Sequence, residues 1–359
     1  MKNVYTNAEL CLIWLDSFLG LEYKNKKEVF KFITEKSNIK QLLIDAKLSL
    51  INLLGTEKYN LLVNSANKEY LDFILKGLEK EEVTAITIIS KNYPKELKET
   101  EVPPLVLYAK GNVNLLNTPC FTIVGSRKTL AQSLAQTEKF VSEICSHFTI
   151  VTGNAEGVDS KVISTALENN AKVITVLAGG INNVYPKSSV NLVEKVAKTG
   201  LVLSEFFQVP SIQPFNFPIR NRILAGLSKG VLITSGSKKS GTIYTADYAF
   251  EYGKDVFAFP YSIGVPSGEG CNEIIKRGGI LVDTPLDILS FYNIESKESK
   301  IELTNEEQKV VEVIANGTTH IEKISKELNL GITQLTTILA LLEIKGVICK
   351  NGVNQYAII

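Results

Sequence analysis

The chain has 359 residues, 45% hydrophobic and 21% charged, which is material for two or three soluble globular domains and too apolar for a disordered chain. Lysine plus arginine (39) balance aspartate plus glutamate (38), so bulk charge announces no polyanion partner and any cationic surface is local. No apolar run is long enough to cross a bilayer, and MKNVYTNAEL lacks the basic-then-apolar pattern of a secretory signal, so a cytoplasmic protein with no membrane partner is expected.

Residues 1–82 read as a helical N-terminal domain. Leu10, Ile13, Trp14, Phe18 and Leu19 share one helix face, and Val29, Phe30 and Ile33 share another. Nothing there suggests chemistry, so packing or partner contact is the expected role. Between 83 and 294 short β-rich runs recur at 85–89, 105–108, 121–124, 149–152, 173–177, 201–204, 231–234, 256–259 and 280–282. Helical patterns separate most of them. Leu130, Leu134, Thr137, Val141 and Ile144 follow one face, and 191–198 runs into Gly200, a natural helix end. Strands alternating with helices predict an α/β fold with a doubly wound, mostly parallel sheet.

The polar stretch ESKESK at 295–300 reads as a linker to a third domain at 301–359. There a capping box at Thr304-Asn305-Glu306-Glu307 heads a helix through Val310, Val313 and Ile314, and further helices are expected at 321–328 and 333–345. Asn351-Gly352 signals a two-residue hairpin, which completes a winged helix. This domain holds five lysines, seven glutamates and no arginine, and its third helix has no base before Lys345. Duplex binding depends on neutralising phosphates, so contact with protein is the expected use.

Counting removes several chemistries. The five cysteines (Cys11, Cys120, Cys145, Cys271, Cys349) form no CxxC pair and read as small buried residues rather than a disulfide or zinc framework. With only two histidines, His147 and His320, neither a histidine base nor a metal cluster is indicated, and no cofactor is expected. Only four cations are arginine: Arg127, Arg220, Arg222 and Arg277. In a lysine-rich chain, arginine marks places where a planar fork is needed, either to grip phosphate or to form a structural ion pair.

The loops after the strands carry the motifs. Gly125-Ser126-Arg127-Lys128 turns from one strand towards a helix expected near Thr129, a ready phosphate cradle, but neither GxGxxG nor GxxxxGK[ST] is present. Gly153 and Gly157 allow close backbone approach in the next loop, where Asp159 is placed to cap a helix. Gly179-Gly180 and Tyr185-Pro186-Lys187 follow the next strand. All these loops lie where open α/β sheets bind ligands. Phe215-Asn216-Phe217-Pro218-Ile219-Arg220-Asn221-Arg222 precedes a helix read at 223–229 and combines guanidinium forks with aromatic faces, as unpaired nucleic acid requires. One of the two phenylalanines is expected in the core. Ser240-Gly241-Thr242 opens another helix.

In order and approximate spacing, GSRK, GNAEGVDS, LAGGINNVYP, LSEF, NFPIRNRILAGLS, SGTIYTA and GCNEIIKRGG resemble the DNA-processing protein A (DprA, Smf) family over about residues 93–289. The resemblance implies a Rossmann-like, non-enzymatic domain that binds single-stranded DNA, forms homodimers, and protects incoming DNA while loading the recombinase RecA during natural transformation. By motif match Gly125, Ser126, Arg127, Lys187, Phe217, Arg220, Asn221 and Arg222 would line the DNA groove. Gly153, Gly157, Gly180, Gly241 and Thr242 would shape its phosphate-facing loops. The chain departs from the family at Glu156 and Glu269, where arginine is usual, and around Ile163, where a histidine often stands. Each change removes positive charge near the groove.

A second reading is a nucleoside-phosphate N-glycosidase, which the chain resembles at Gly241-Thr242. Thr245 stands where that motif needs glutamate, and such cleavage usually relies on carboxylates. A third is an interaction scaffold with vestigial phosphate loops.

Overall fold

A computed structural model describes residues 4–35, 37–207, 212–295, 303–351 and 353–358. It divides the chain into one unit of Met1–Tyr292 and a second of Asn293–Ile359. Most of the expected linker, 296–300, lies outside the described residues. Among the described residues no single helix is long and apolar enough to cross a membrane.

The first unit opens with α1 (Asn7–Ser17), α2 (Tyr23–Phe30), α3 (Ile39–Asp45), α4 (Lys47–Leu54), α5 (Thr56–Ser65) and α6 (Lys68–Lys80). Thr6 and Glu9 close a capping box that starts α1. The expected amphipathic stripe is not what α1 shows: Cys11 through Leu15 are all buried, because helices surround α1 on one side and the sheet edge on the other. Leu19, placed on that stripe, lies past the helix end and is exposed. The Trp14 indole donates to the Ser65 carbonyl at 3.2 Å.

The sheet follows, with β1 (Thr84–Thr87), α7 (Lys95–Lys98), β2 (Val106–Gly111), β3 (Cys120–Val124), α8 (Ala131–Ile144), β4 (Thr149–Thr152), α9 (Val158–Glu168), β5 (Val173–Val176) and α10 (Val190–Thr199). Then come β6 (Leu201–Ser204), α11 (Asn216–Leu227), β7 (Gly230–Ile233), α12 (Gly241–Glu251), β8 (Asp255–Ala258), α13 (Glu269–Lys276), β9 (Ile280–Leu281) and α14 (Pro285–Phe291). Every expected strand is present. Their order is β1-β2-β6-β5-β4-β3-β7-β8-β9, parallel from β6 to β9, with β2 antiparallel to both its neighbours. Strand β3 is buried along its whole length because helices cover both faces. Tyr108 on β2 donates to Asp16 at 2.8 Å and ties the N-terminal helices to the sheet edge.

Two helix readings shift. The buried face of α8 is Ser133, Thr137, Phe140, Val141 and Ile144, while Leu130 caps the helix from outside and is exposed. Helix α11 begins at Asn216, a full turn and more before the expected 223. Pro218 does not break it, because first-turn amides have no helical acceptor for proline to forfeit.

The second unit holds α15 (Asn305–Ala315), α16 (Ile321–Leu328), α17 (Ile332–Ile344), β10 (Ile348–Lys350) and β11 (Tyr356–Ile358). The capping box at Thr304 and Glu307 forms as expected, and Glu307 also accepts from Lys345 at 2.7 Å. Val310, Ile324, Leu335, Leu339 and Leu342 make its core. Lys350 pairs with Tyr356, so five residues rather than the expected two separate the paired strand ends; Gly352 lies outside the described residues. Of the cysteines, Cys349 is exposed and Cys145 half-buried, against the expectation that all are core.

Candidate functional site

The chain winds one way from β3 through β4 and β5 to β6, and the other way from β7 through β8 to β9. A crevice therefore opens between the C-terminal ends of β3 and β7, where the connections diverge. A cleft of about 440 Å³ lies there, lined by Gly125, Ser126, Arg127, Phe217, Arg220 and Asn221, with Gly241 and Thr242 across from them. Eight of the thirteen expected groove residues thus share one cavity.

The turn after β3 is not the free phosphate cradle expected of it. The Ser126 N–H donates to Ser235 Oγ at 3.0 Å, and α8 starts only at Ala131. The turn instead serves as a mount for Arg127. Gly157 supports it from below: its φ is +81°, and a Cβ there would come within 2.6 Å of the Ser126 carbonyl oxygen. Asp159 does not cap α9. It reaches back to accept the Ala155 N–H at 3.2 Å, and Gly157 takes the cap position.

Arg127 is exposed, and its guanidinium carbon lies 5.0 Å from the centroid of the Phe217 ring. Tyr185 meets the same ring edge-on, with centroids 6.1 Å apart, and is itself half exposed. The Asn154 side-chain amide holds this loop by donating to the Tyr185 carbonyl at 2.7 Å. The result is a cation and two aromatic faces at the rim of the cleft. Neither Phe215, 63% exposed, nor the half-buried Phe217 is in the core, where one was expected.

Two expected guanidinium forks are buried. Arg222 projects from the opposite side of α11 into the wall of a separate cavity of about 1060 Å³ between the N-terminal helices and the sheet. It is 4% exposed, pairs with Glu205 and lies 5.8 Å from the Tyr23 ring centroid, so it is a structural ion pair and not a groove residue. Arg220 lies at the cleft but is 5% exposed, donating through Nη1 to the Val176 carbonyl and through Nε to Asn221 Oδ1 at 3.1 Å. Burial depresses its pKa while nearby Asp159 opposes that shift. Burial likewise lifts Asp159 to about 6, against the pull of Arg220, the Ala155 and Gly125 amides and Arg127.

Other expected residues scatter around this centre. Lys187 is exposed at the same sheet edge, two residues beyond Tyr185 in the same connection. Gly180 is buried and pairs as a bridge with Phe206, away from the cleft. Gly153 lies beneath Arg220, and Gly241 starts α12 with open space around it. Ser240 caps that helix, leaving an N-terminus facing the cleft, a favourable place for an anion. Thr242 is turned inward, its hydroxyl sharing a 2.9 Å hydrogen bond with Ser240. Sequence reasoning missed Lys128, Lys238 and Lys239 as exposed cations on the same edge, although the SKKSGT run before α12 signals the last two. Glu156 is exposed among them and accepts from Ser188 at 2.8 Å.

Comparison with known proteins identifies the family and the fold. A family model described as DNA recombination-mediator protein A matches residues 84–293, and one described as the DprA winged helix domain matches 295–351. The DNA processing protein DprA of Streptococcus pneumoniae is 37% identical over 214 residues, covering 59% of this chain and 75% of that protein. Its counterpart in Bacillus subtilis is 36% identical over 217 residues, covering 60% and 73%. The crystal structure of DNA processing protein A from Streptococcus pneumoniae superposes with a TM-score of 0.67 at 30% identity, covering 81% of this chain and 98% of that one. The protein from Helicobacter pylori, described for its single-stranded DNA binding mode, superposes with a TM-score of 0.54 at 26% identity, covering 59% and 96%. One family model spans more than half of the residues here, and the chain belongs to the DNA recombination-mediator protein A (DprA/Smf) family.

Proposed function

We propose that this chain binds single-stranded DNA across the C-terminal edge of its sheet. The observation that carries the proposal is the cluster of exposed Arg127, half-buried Phe217 and half-exposed Tyr185 at the cleft rim. An aromatic face accepts an unstacked base of any identity, and the neighbouring guanidinium takes the adjoining phosphate. Lys128, Lys187, Lys238 and Lys239 extend positive charge along the same edge. Family membership and the DNA-binding relative from Helicobacter pylori support the same reading. In this account the protein is a cytoplasmic homodimer that shields incoming strands and loads RecA recombinase during natural transformation. The winged helix, with no arginine and more glutamates than lysines, serves in contacts with protein. A binding role rather than a glycosidase is favoured by Thr245, which lines the cleft where that chemistry needs a carboxylate.

Anisotropy of a labelled oligonucleotide across a salt series tests the proposal. With about four phosphate contacts, affinity for the single strand falls roughly fiftyfold between 50 and 200 mM salt. A duplex of equal length binds at least about tenfold more weakly, because its bases stay stacked away from Phe217. Equal affinity for duplex and single strand, or no salt dependence, contradicts it.

A further inference from the structure

We propose that Asp159 and Arg220 are positioning residues, a buried pair of opposite charges that holds the Arg127–Phe217 stack in the geometry that DNA engages. This rests on the reading of the rim as the DNA contact. At 4% and 5% exposure, neither residue presents its charge to a phosphate in solvent. What they do instead is join the loops that form the cleft.

Asp159 accepts the Ala155 N–H at 3.2 Å and also a hydrogen bond from the Gly125 backbone, which ties the loop after β4 to the loop after β3. Arg220 donates to the Val176 carbonyl at the end of β5. Its neighbour Asn221 accepts from Arg220 Nε at 3.1 Å and donates to the Gly241 carbonyl at 2.9 Å, which brings in the start of α12. Both charges abut Gly153: a Cβ there would collide with the Asp159 carboxylate and come within 2.7 Å of both terminal nitrogens of Arg220. One opposed-charge centre therefore spans the ends of β3, β4 and β5 and the starts of α11 and α12. Arg127 stands two residues beyond Gly125, and Phe217 stands one helical turn before Arg220. Asp159 fixes the loop that bears the cation, and Arg220 fixes the helix that bears the ring.

The charged groups acting on Asp159 are Arg220 and Arg127, with burial opposing both and lifting its carboxyl to about 6. As pH falls through that value the carboxyl takes a proton, Arg220 loses its counter-charge, and the amides of Gly125 and Ala155 lose an anionic acceptor. DNA affinity then drops on acidification. Folding stability moves the other way. A carboxyl raised above its unfolded value of 3.8 binds a proton more tightly in the folded chain, so this group's protonation stabilises the fold between about pH 6 and 4. Loss of binding in that window is thus separable from unfolding.

The test is a double-mutant cycle with Arg127→Ala and Asp159→Asn, read by anisotropy of a labelled poly-dT oligonucleotide. Each single variant weakens binding by about tenfold and lowers the salt slope by about one, while the double variant stays within about twofold of Arg127→Ala alone. Wild-type affinity falls by roughly threefold or more from pH 7.5 to 5.5, and Asp159→Asn removes that fall. Independent, multiplying losses overturn the positioning role, as does wild-type affinity that does not decline on acidification. The wild-type profile decides the matter even if Asp159→Asn fails to fold, which a melting curve reveals. An Arg127→Ala variant that binds normally removes the rim interface itself and this proposal with it.

Discussion

Replacing Phe217 with alanine weakens binding of single-stranded DNA by about 1–3 kcal/mol, roughly fivefold to 150-fold, the usual worth of one base stacked on an aromatic side chain. The ring is the common neighbour of the Arg127 guanidinium and of Tyr185, which meets it edge-on, so its removal leaves the unstacked base without a platform. Stacking releases no counterions, and the salt slope stays essentially that of the wild type. Phe217→Leu keeps much of the volume without the ring face and shows most of the same loss, whereas Phe217→Tyr retains affinity. Anisotropy titrations at two salt concentrations distinguish these outcomes. A Phe217→Leu variant with normal affinity contradicts stacking.

Arg222→Ala has its large effect on folding. The guanidinium and the Glu205 carboxylate are both buried, and Arg222 Nη1 and Glu205 Oε2 have no hydrogen-bond partner. Deleting the arginine leaves a carboxylate in a wall of aromatic side chains, a loss of about 3–5 kcal/mol. Urea denaturation of the sheet-bearing unit reads this as a lower midpoint. Replacing both charges together, Arg222→Met with Glu205→Gln, recovers much of that loss because no unpaired charge remains. In the folded protein the salt slope for DNA is unchanged, since Arg222 does not reach the cleft. A slope that falls by about one returns Arg222 to the DNA contact.

The contrast between Arg220 and Arg222 shows where the sequence could and could not be read. The strands were legible because the runs at 121–124 and 201–204 are short, rich in β-branched and leucine side chains, and buried on both faces. The cleft was legible because glycines and polar residues gather after those strands. The arginines were misplaced through the helix boundary. Read as a loop, the FNFPIRNR segment lets both forks face one ligand. Read as a helix from Asn216, residues two apart diverge by about 200°, and one of them must point away from the cleft. Pro218 in the first turn concealed that helix. The burial of Arg220 was not legible at all, because its carboxylate partner comes from α9 and its carbonyl partner from β5, contacts that exist only once the sheet has assembled.

In the sequence Tyr185 reads only as the residue before a proline, yet it completes the aromatic rim. The pairing depends on Asn154 anchoring its carbonyl from a different loop, which no local pattern announces. Lys238 and Lys239 precede α12, a place where cations usually oppose the helix dipole. Their presence there fits an edge whose anion comes from outside.

The most direct measurement is photocrosslinking of the full chain to a single-stranded oligonucleotide carrying 5-iodouracil, followed by peptide mapping. Adducts are predicted on the peptides holding Tyr185 and Phe217, and an excess of unlabelled single strand should suppress them. Adducts confined to residues 303–358 or to the N-terminal helices, with none at the rim, would contradict the account.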